Sequence, residues 1–214
     1  DAAYKLAILI RLAWDGWPAV EALRRSAPAV GGQSSEGITG VSRSHLSAAA
    51  RLGMAIKLVS RAQRTGSVIS GGVTPMAVAN TSLLGATGGV TNVVEFGAEP
   101  VGRVRMVGPG AGGPATSTAI LSDTLALAIG AGSTWSQLPS AVEVEVEDDL
   151  GGEHGWLVVI EGLGEAGFPD AIREMALATT DEGLVTRPMH LSAMTAKLGM
   201  FERPVAVYPV LAES

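Results

Sequence analysis

Hydrophobic and polar positions follow a helical period in two segments near the start of the chain. Residues 1–13 carry leucine, isoleucine and alanine between good helix formers, which predicts a helix buried on most of its circumference and ended by Gly16. Ser42 is a suitable N-cap for a second helix that runs through Leu52, and Gly53 follows as its C′ residue. Two helices are therefore expected before residue 54.

Short apolar and β-branched segments follow these helices and predict strands. They are residues 55–61, 68–73, 90–96 and 101–107, separated by turns that contain glycine or proline. A further helix is predicted at residues 116–129. Helices beside several strands indicate the α+β class, here a helix-covered open β-sheet, or the α/β class if an α/β domain precedes these residues.

An acidic segment, rich in glycine and containing Pro139, separates this region from the rest of the chain. We predict an acidic linker at residues 139–155, which divides the chain into domains at 1–138 and 156–214. Within the linker, Val142, Val144 and Val146 alternate with glutamates, so the same residues could form one exposed edge strand.

The last part of the chain has an alternating order of predicted elements. A strand at 156–162 is followed by a helix at 169–178, a strand at 183–189, a helix at 192–200 and a strand at 204–211. This β-α-β-α-β order suits a small ferredoxin-like sandwich that is one strand short of six elements.

Composition narrows the classes of function. The 214 residues are 47% hydrophobic and 17% charged, which excludes a disordered chain, and the net charge of −6 argues against a nucleic-acid partner. The chain has no cysteine, which excludes disulfides and thiolate metal sites and fits a cytoplasmic protein. The three histidines show no metal-ligand spacing, so no metal is expected. The apolar stretch from Leu6 to Trp14 is too short to cross a membrane, so no membrane association is expected.

Two features could carry chemistry. Asp1 and Lys5 lie four residues apart on the first predicted helix and therefore share one face, where the spacing alone favours an ordinary solvated ion pair over a catalytic pair. Gly108 to Gly113 lie between a predicted strand and a predicted helix, where backbone N–H groups can approach an anionic or planar ligand. This cluster lacks the downstream acid of the dinucleotide fingerprint, and a structural turn is an equally good interpretation.

Four segments, in order, resemble homoserine dehydrogenase. They are D-A-A-Y-K-L-A-I-L at the start, E-G-I-T beginning at Glu36, L-G-M-A-I-K-L beginning at Leu52, and G-P-G-A-G-G beginning at Gly108, with Thr116, Ala119 and Asp123 after it. The resemblance covers residues 1 to about 130. Residues 156–214 resemble a shortened, divergent ACT domain, for which Val185-Thr186-Arg187 before a helix is the best local evidence.

The resemblance implies a role for each matched residue. Lys5 matches the catalytic lysine that passes a proton to or from the substrate oxygen, and Asp1 matches a carboxylate that binds the substrate amine. Partial burial of Lys5 would suit it to proton transfer. Gly110, Ala111 and Gly112 match the segment that contacts the dinucleotide cofactor, NADP or NAD. The implied reaction interconverts L-homoserine and L-aspartate 4-semialdehyde, and the implied assembly is a homodimer formed through the sheet.

The family's N-terminal Rossmann domain does not match any part of these residues. We therefore expect the 214 residues to be part of a longer protein and to be inactive alone. The alternatives are a non-enzymatic regulatory or scaffold subunit and an enzyme whose nucleotide-binding half is a separate chain. His45 stands where the family usually has an acid, and we expect it on a solvated helix face. Glu36 and Lys57 are interpreted as structural or interfacial residues.

Overall fold

A computed structural model describes residues 1–27, 29–30, 37–163, 167–199, 201 and 203–211. Glu36, the predicted turn at residues 31–35 and Met200 at the end of a predicted helix lie outside the described residues. Helices of the described residues are α1 (Ala2–Trp14), α2 (Arg43–Arg51), α3 (Leu83–Ala86), α4 (Gly113–Ala128), α5 (Asp170–Arg173) and α6 (Leu191–Leu198).

Fourteen strands of the described residues form five small sheets. The strands are β1 (Gly16–Pro18), β2 (Ala29–Val30), β3 (Met54–Thr65), β4 (Val68–Ala79), β5 (Thr91–Ala98), β6 (Gly102–Pro109), β7 (Val142–Val144), β8 (Val146–Glu147), β9 (Glu153–His154), β10 (Trp156–Ile160), β11 (Ala176–Thr179), β12 (Gly183–Thr186), β13 (Met189–His190) and β14 (Val205–Pro209). This mixture of helices and mainly antiparallel sheets confirms the α+β class.

The first hydrophobic core lies between α1 and the antiparallel β3–β4 hairpin. Leu6 and Ile10 of α1 are buried with Leu23 and with Val73 of β4. The opposite face of the helix leaves exposed Tyr4, Ile8 and Leu12. Burial therefore covers one side of α1, and the prediction that most of its circumference is buried is wrong.

The β3–β4 hairpin is longer than the predicted strands because Gly71 and Gly72 lie within β4 and do not reverse the chain there. Its two strands pair continuously from Met54 opposite Ala79 to Thr65 opposite Val68. A Cβ atom on Gly71 would lie 2.1 Å from the carbonyl oxygen of Arg61 on the neighbouring strand. Glycine is thus required inside this strand by the approach of the partner backbone.

The segment predicted as a linker makes contacts with the first core. β7 pairs in parallel with β1, and β8 pairs in parallel with β4, where Val146 lies opposite Ile69. Burial increases along the segment, since Val142 is 63% exposed and Val146 only 8%. The alternating valines thus form two short edge strands, and the buried guanidinium of Arg11 donates to the carbonyl of Pro139. The division of the chain into two domains at this segment stays a prediction.

The C-terminal residues form a complete β-α-β-β-α-β unit. Its sheet has the order β11-β12-β10-β14, with every neighbouring pair antiparallel, which is the ferredoxin-like arrangement. The predicted helix at 169–178 is wrong in its second half, because α5 ends at Arg173 and residues 176–179 form β11. The sixth element is therefore present. β2, from the early part of the chain, pairs with β14 and extends the sheet at that edge.

The central strand of this sheet, β10, is buried on both faces. Trp156, Val158 and Ile160 pack in a core with residues of α5 and α6. Leu157 and Val159 point to the other face and pack against Ala48 and Ala49 of α2 and Ala77 of β4. Helix α2 therefore covers the face of the sheet that α5 and α6 leave open.

Two elements leave large apolar surfaces uncovered. Among the described strands β5 and β6 pair only with each other, and one face of this ribbon carries Val94, Phe96, Val104 and Met106. In α4, none of the described side chains is buried. Its exposed apolar residues are Ile120, Leu121, Leu125 and Leu127, with Ile129 just after its end. A two-stranded ribbon is marginal alone, and exposed apolar patches of this kind are typical of interaction surfaces.

Candidate active site

The helix α1 carries the predicted acid and lysine at its first turn. Lys5 Nζ lies 2.7 Å from Asp1 Oδ2, and the two side chains are 62% and 83% exposed. Asp1 is also the N-cap residue, and its carbonyl oxygen accepts the backbone N–H of Lys5 at 3.2 Å. The helical spacing thus places both groups on one face, as predicted. The Lys5 side chain is 62% exposed, so the described residues leave most of it open to solvent.

The glycine segment lies at the junction of β6 and α4. The backbone N–H of Gly110 donates to the carbonyl of Val90 at 2.7 Å, which fixes the segment to the start of the ribbon. A Cβ atom on Gly110 would lie 2.0 Å from the side-chain nitrogen of Asn92. Any other residue at position 110 would have to displace the Asn92 side chain.

Gly112 caps the N-terminus of α4 with a φ of 104°, a conformation that L side chains rarely adopt. Nothing lies within 4 Å of the position where its Cβ would be, and no side chain of the described residues caps the helix. Backbone groups at the positive end of a 16-residue helix are therefore open to an anionic or planar ligand. These features fit the contact with a dinucleotide that the resemblance implies for Gly110, Ala111 and Gly112.

The structure brings Asp1 and Lys5 together and holds the glycine segment on a different element. No hydrogen bond or ion pair between described residues joins α1 to residues 110–112. Lys57 of β3 donates to the carbonyl of Thr87 at 2.7 Å, which agrees with a structural role.

Sequence reasoning missed Asn92, whose side-chain amide lies beside Gly110. A signal for it existed, because the predicted strands at 90–96 and 101–107 form a hairpin in which Asn92 lies opposite Gly108. Sequence reasoning was wrong about His45, whose side chain is only 12% exposed and lies against Tyr208 with ring centroids 5.8 Å apart. The solvated helix face expected there is covered by the ferredoxin-like sheet.

The described residues contain neither a cluster suited to a metal ion nor a helix suited to a membrane. No group of three or more histidine or acidic side chains in that part of the chain could hold a metal ion. Within the same residues, every helix is too short or too polar to span a bilayer.

Comparison with known proteins identifies the family. The chain is 34% identical over 127 residues to a homoserine dehydrogenase of Bacillus subtilis (strain 168), a match that covers 59% of this chain and 27% of that protein. It is 30% identical over 128 residues to a homoserine dehydrogenase of Helicobacter pylori (strain ATCC 700392 / 26695), covering 60% of this chain and 28% of that protein.

Solved structures show the same fold. A homoserine dehydrogenase from Thiobacillus denitrificans matches with a TM-score of 0.71 and 19% identity, over 98% of this chain and 52% of that one. A homoserine dehydrogenase from S. aureus matches with a TM-score of 0.67 and 21% identity, over 100% of this chain and 53% of that one. The chain thus spans about half the length of these solved relatives. A sequence model of the homoserine dehydrogenase family matches residues 1–125, which is more than half of the chain, and the chain therefore belongs to the homoserine dehydrogenase family.

Proposed function

We propose that these residues are the catalytic part of an enzyme that interconverts L-homoserine and L-aspartate 4-semialdehyde, in threonine and methionine biosynthesis. The observation that carries the proposal is the Asp1–Lys5 pair on α1 in a chain of this family. A carboxylate and a lysine side chain on one helix turn can bind a hydroxy amino acid together, because the carboxylate can contact its amino group while the lysine contacts its hydroxyl group.

Each side chain has a separate role in this proposal. Asp1 binds the amino group of the substrate through a charge-assisted hydrogen bond. Lys5 in its neutral amine form holds the substrate hydroxyl group and takes its proton as the alcohol is oxidised, and as an ammonium it returns that proton in the reverse direction. In the described residues both groups are solvated, so closure of further polypeptide over α1 would exclude water and strengthen both contacts.

A bound NADP or NAD would accept or supply the hydride. Gly110, Ala111 and Gly112 would line one side of its site, since Gly112 leaves open space and a helix N-terminus faces it. Selectivity between NADP and NAD depends on residues that contact the ribose, and in such enzymes these residues lie in the nucleotide-binding fold.

The uncovered apolar surfaces support two partners for this part of the chain. α4 begins at the proposed cofactor contact, so we assign its apolar surface to a nucleotide-binding fold, in the same chain or in a separate one. We assign the apolar face of the β5–β6 ribbon to a second copy, in a homodimer formed through the sheet. Without a nucleotide-binding fold we expect the 214 residues to be inactive. The expected compartment is the cytoplasm.

The test is homoserine-dependent reduction of NADP or NAD, measured by absorbance on the intact protein in which these residues occur. Lys5→Ala should lower kcat by about 10²- to 10⁴-fold while dinucleotide binding is retained. Asp1→Asn should raise KM for homoserine more than it lowers kcat. Lys197→Ala, at an exposed residue of α6, is the matched control and should leave both constants unchanged.

Two results would contradict the proposal. Near-normal kcat in Lys5→Ala would remove the assigned role of the lysine. An intact protein of 21.8 kDa that binds neither dinucleotide and copurifies with no dinucleotide-binding chain would instead favour a regulatory or scaffold subunit, with the ferredoxin-like unit as an ACT-like amino-acid sensor.

A further inference from the structure

The glycine segment at the junction of β6 and α4 lies apart from the cores of the described chain. Among the described strands, β5 and β6 pair only with each other, and none of the described side chains of α4 is buried. The chain reaches this segment from the β3–β4 hairpin through residues 80–90, which lead into the β5–β6 ribbon. These residues therefore help to set where the glycine segment lies relative to α1.

The first part of this connection, residues 80–86, is packed tightly against the end of the hairpin. Ser82 is buried and caps the short helix α3, because its hydroxyl oxygen accepts the backbone N–H of Gly85 at 2.9 Å. A Cβ atom on Gly85 would lie 2.0 Å from the carbonyl oxygen of Ala79, so α3 lies directly against the backbone of β4. This part of the connection has little freedom to move relative to the hairpin.

A lysine of β3 holds the residue that follows α3. Lys57 Nζ donates to the carbonyl oxygen of Thr87 at 2.7 Å. The backbone N–H and the hydroxyl of Thr87 both donate to the carbonyl of Leu83, at 3.1 Å and 2.6 Å. All three polar groups of Thr87 are therefore hydrogen-bonded, and the bond from Lys57 is the one that ties this residue to the hairpin.

The connection is less restrained immediately after Thr87. A Cβ atom on Gly88 or on Gly89 would meet open space, and Gly89 has a φ of 62°. Beyond them, the carbonyl of Val90 accepts the backbone N–H of Gly110 at 2.7 Å. Only two glycines thus separate the residue that Lys57 holds from the residue that holds the glycine segment.

The surroundings of Lys57 argue for a role in position rather than in stability. Lys57 lies between Ala55 and Val59 on one face of β3 and opposite Met76 of β4, where Val59 and Met76 belong to a buried apolar cluster. Its partner is a neutral carbonyl, so the bond offsets less of the cost of desolvating the ammonium than an ion pair would. An apolar side chain of similar length is therefore expected to be about as stable at this position.

We propose that Lys57 is a positioning residue for the dinucleotide contact at residues 110–112, and that it acts through Thr87 and Val90 without touching substrate or cofactor. The inference rests on the proposed function, which assigns the dinucleotide to these residues. β3 also packs against α1, the helix of the candidate pair. Lys57 thus fixes the glycine segment to the same strand that supports the other half of the candidate site.

The first experiment is amide hydrogen exchange in the intact protein without dinucleotide, as wild type and as Lys57→Met. Methionine is similar in length to lysine and has no donor. We expect the amides of Thr91 and Gly110 to lose protection in Lys57→Met, because both follow the bond at Thr87, while the amides of β3 and β4 keep theirs. Lys197→Met, at an exposed residue of α6, is the matched control and should behave as wild type.

The second experiment is steady-state kinetics of the same variants with homoserine and dinucleotide. Lys57→Met should raise KM for the dinucleotide about three- to thirtyfold. It should change kcat and KM for homoserine by less than about threefold, because a bound dinucleotide itself orders the glycine segment. Lys57→Arg keeps a charged donor and should recover most of the loss. In a Gly110→Ala background the effect of Lys57→Met should be smaller, since both changes act on one contact.

Several results would overturn the inference. Unchanged protection of Gly110 in Lys57→Met would show that the lysine does not hold the segment, and loss of protection throughout β3 and β4 would show a general structural role. An unchanged KM for the dinucleotide in Lys57→Met, with a wild type that binds it, would overturn this inference alone. A wild type that binds neither NADP nor NAD would overturn the proposed function and this inference with it. If Lys57→Met does not fold, Lys57→Gln, whose side chain is one atom shorter than lysine, takes its place.

Discussion

Replacing Asp15 by asparagine tests how the buried guanidinium of Arg11 is stabilised. Arg11 is 4% exposed, donates to Asp15 Oδ1 at 2.7 Å and also donates to the carbonyl of Pro139. Asp15 has a φ of 58°, in the left-handed region that asparagine tolerates as well as aspartate does. Asp15→Asn therefore removes the charge of the partner without adding backbone strain.

The expected loss of unfolding free energy follows from these contacts. A hydrogen bond between charged groups contributes about 1.5–3 kcal/mol, and the 48% exposure of the Asp15 side chain weakens it. Removing a negative charge from the C-terminal end of α1 recovers about 0.5 kcal/mol from the helix dipole. We expect Asp15→Asn to cost about 1–2 kcal/mol.

The complementary variant Arg11→Met should cost less than Asp15→Asn. It removes the buried charge together with its desolvation penalty, and it leaves behind a half-exposed carboxylate and an exposed proline carbonyl that water can solvate. The two residues should also be coupled. The double variant should therefore be no less stable than Arg11→Met alone.

Urea unfolding of the wild type, the two single variants and the double variant, followed by tryptophan fluorescence, measures these differences. The comparison holds when the slope of the unfolding free energy against urea concentration is the same in all four proteins. The reasoning is refuted if Asp15→Asn lies within about 0.5 kcal/mol of wild type. It is refuted equally if Arg11→Met is the more destabilising of the two single changes.

Three further predictions concern the core, the glycine segment and alkaline pH. Leu23→Ala should lower the unfolding free energy by about 2–5 kcal/mol in urea titrations, whereas Leu127→Ala, at a 75% exposed residue, should change it by less than about 0.5. Gly110→Ala should weaken dinucleotide binding to the intact protein in equilibrium titrations because its Cβ meets Asn92, and the additional change Asn92→Ala should restore binding. Burial raises the pKa of Tyr208 to about 12, so its contribution to stability, complete below pH 10, should be lost as the pH rises from 10 toward 12. The urea midpoint of Tyr208→Phe should lack that part of the pH dependence.

Local sequence patterns predicted the elements whose stability is mainly local. The N-cap at Ser42 and the left-handed Gly53 bound α2 as expected, because capping depends on neighbouring residues. The prediction from local pattern was wrong at residues 176–179, most of which were assigned to the end of a helix. Their alanine and leucine are good helix formers, but hydrogen bonds to β12 make them a strand. Tertiary pairing there overrides a local preference that the sequence shows clearly.

Side-chain contacts follow the same rule: those between residues close in sequence were predictable, and those between distant residues were not. The Asp1–Lys5 contact follows from helical spacing alone, since residues four apart meet on one face. The contact between His45 and Tyr208 joins residues 163 positions apart, and no local pattern places β14 over α2. Burial of His45 could therefore not be predicted from the polar residues around it.

The shared sheet determines where this protein can be cut. A chain that begins after residue 155 would lose β2 from the edge beside β14, and it would lose α2 from the face formed by Leu157, Val159 and Tyr208. That fragment would expose an apolar face and an unpaired sheet edge to solvent, and both promote self-association. The residues before 139 would likewise lose the strands that pair with β1 and β4. The two halves are therefore best expressed, crystallised and mutated as one unit.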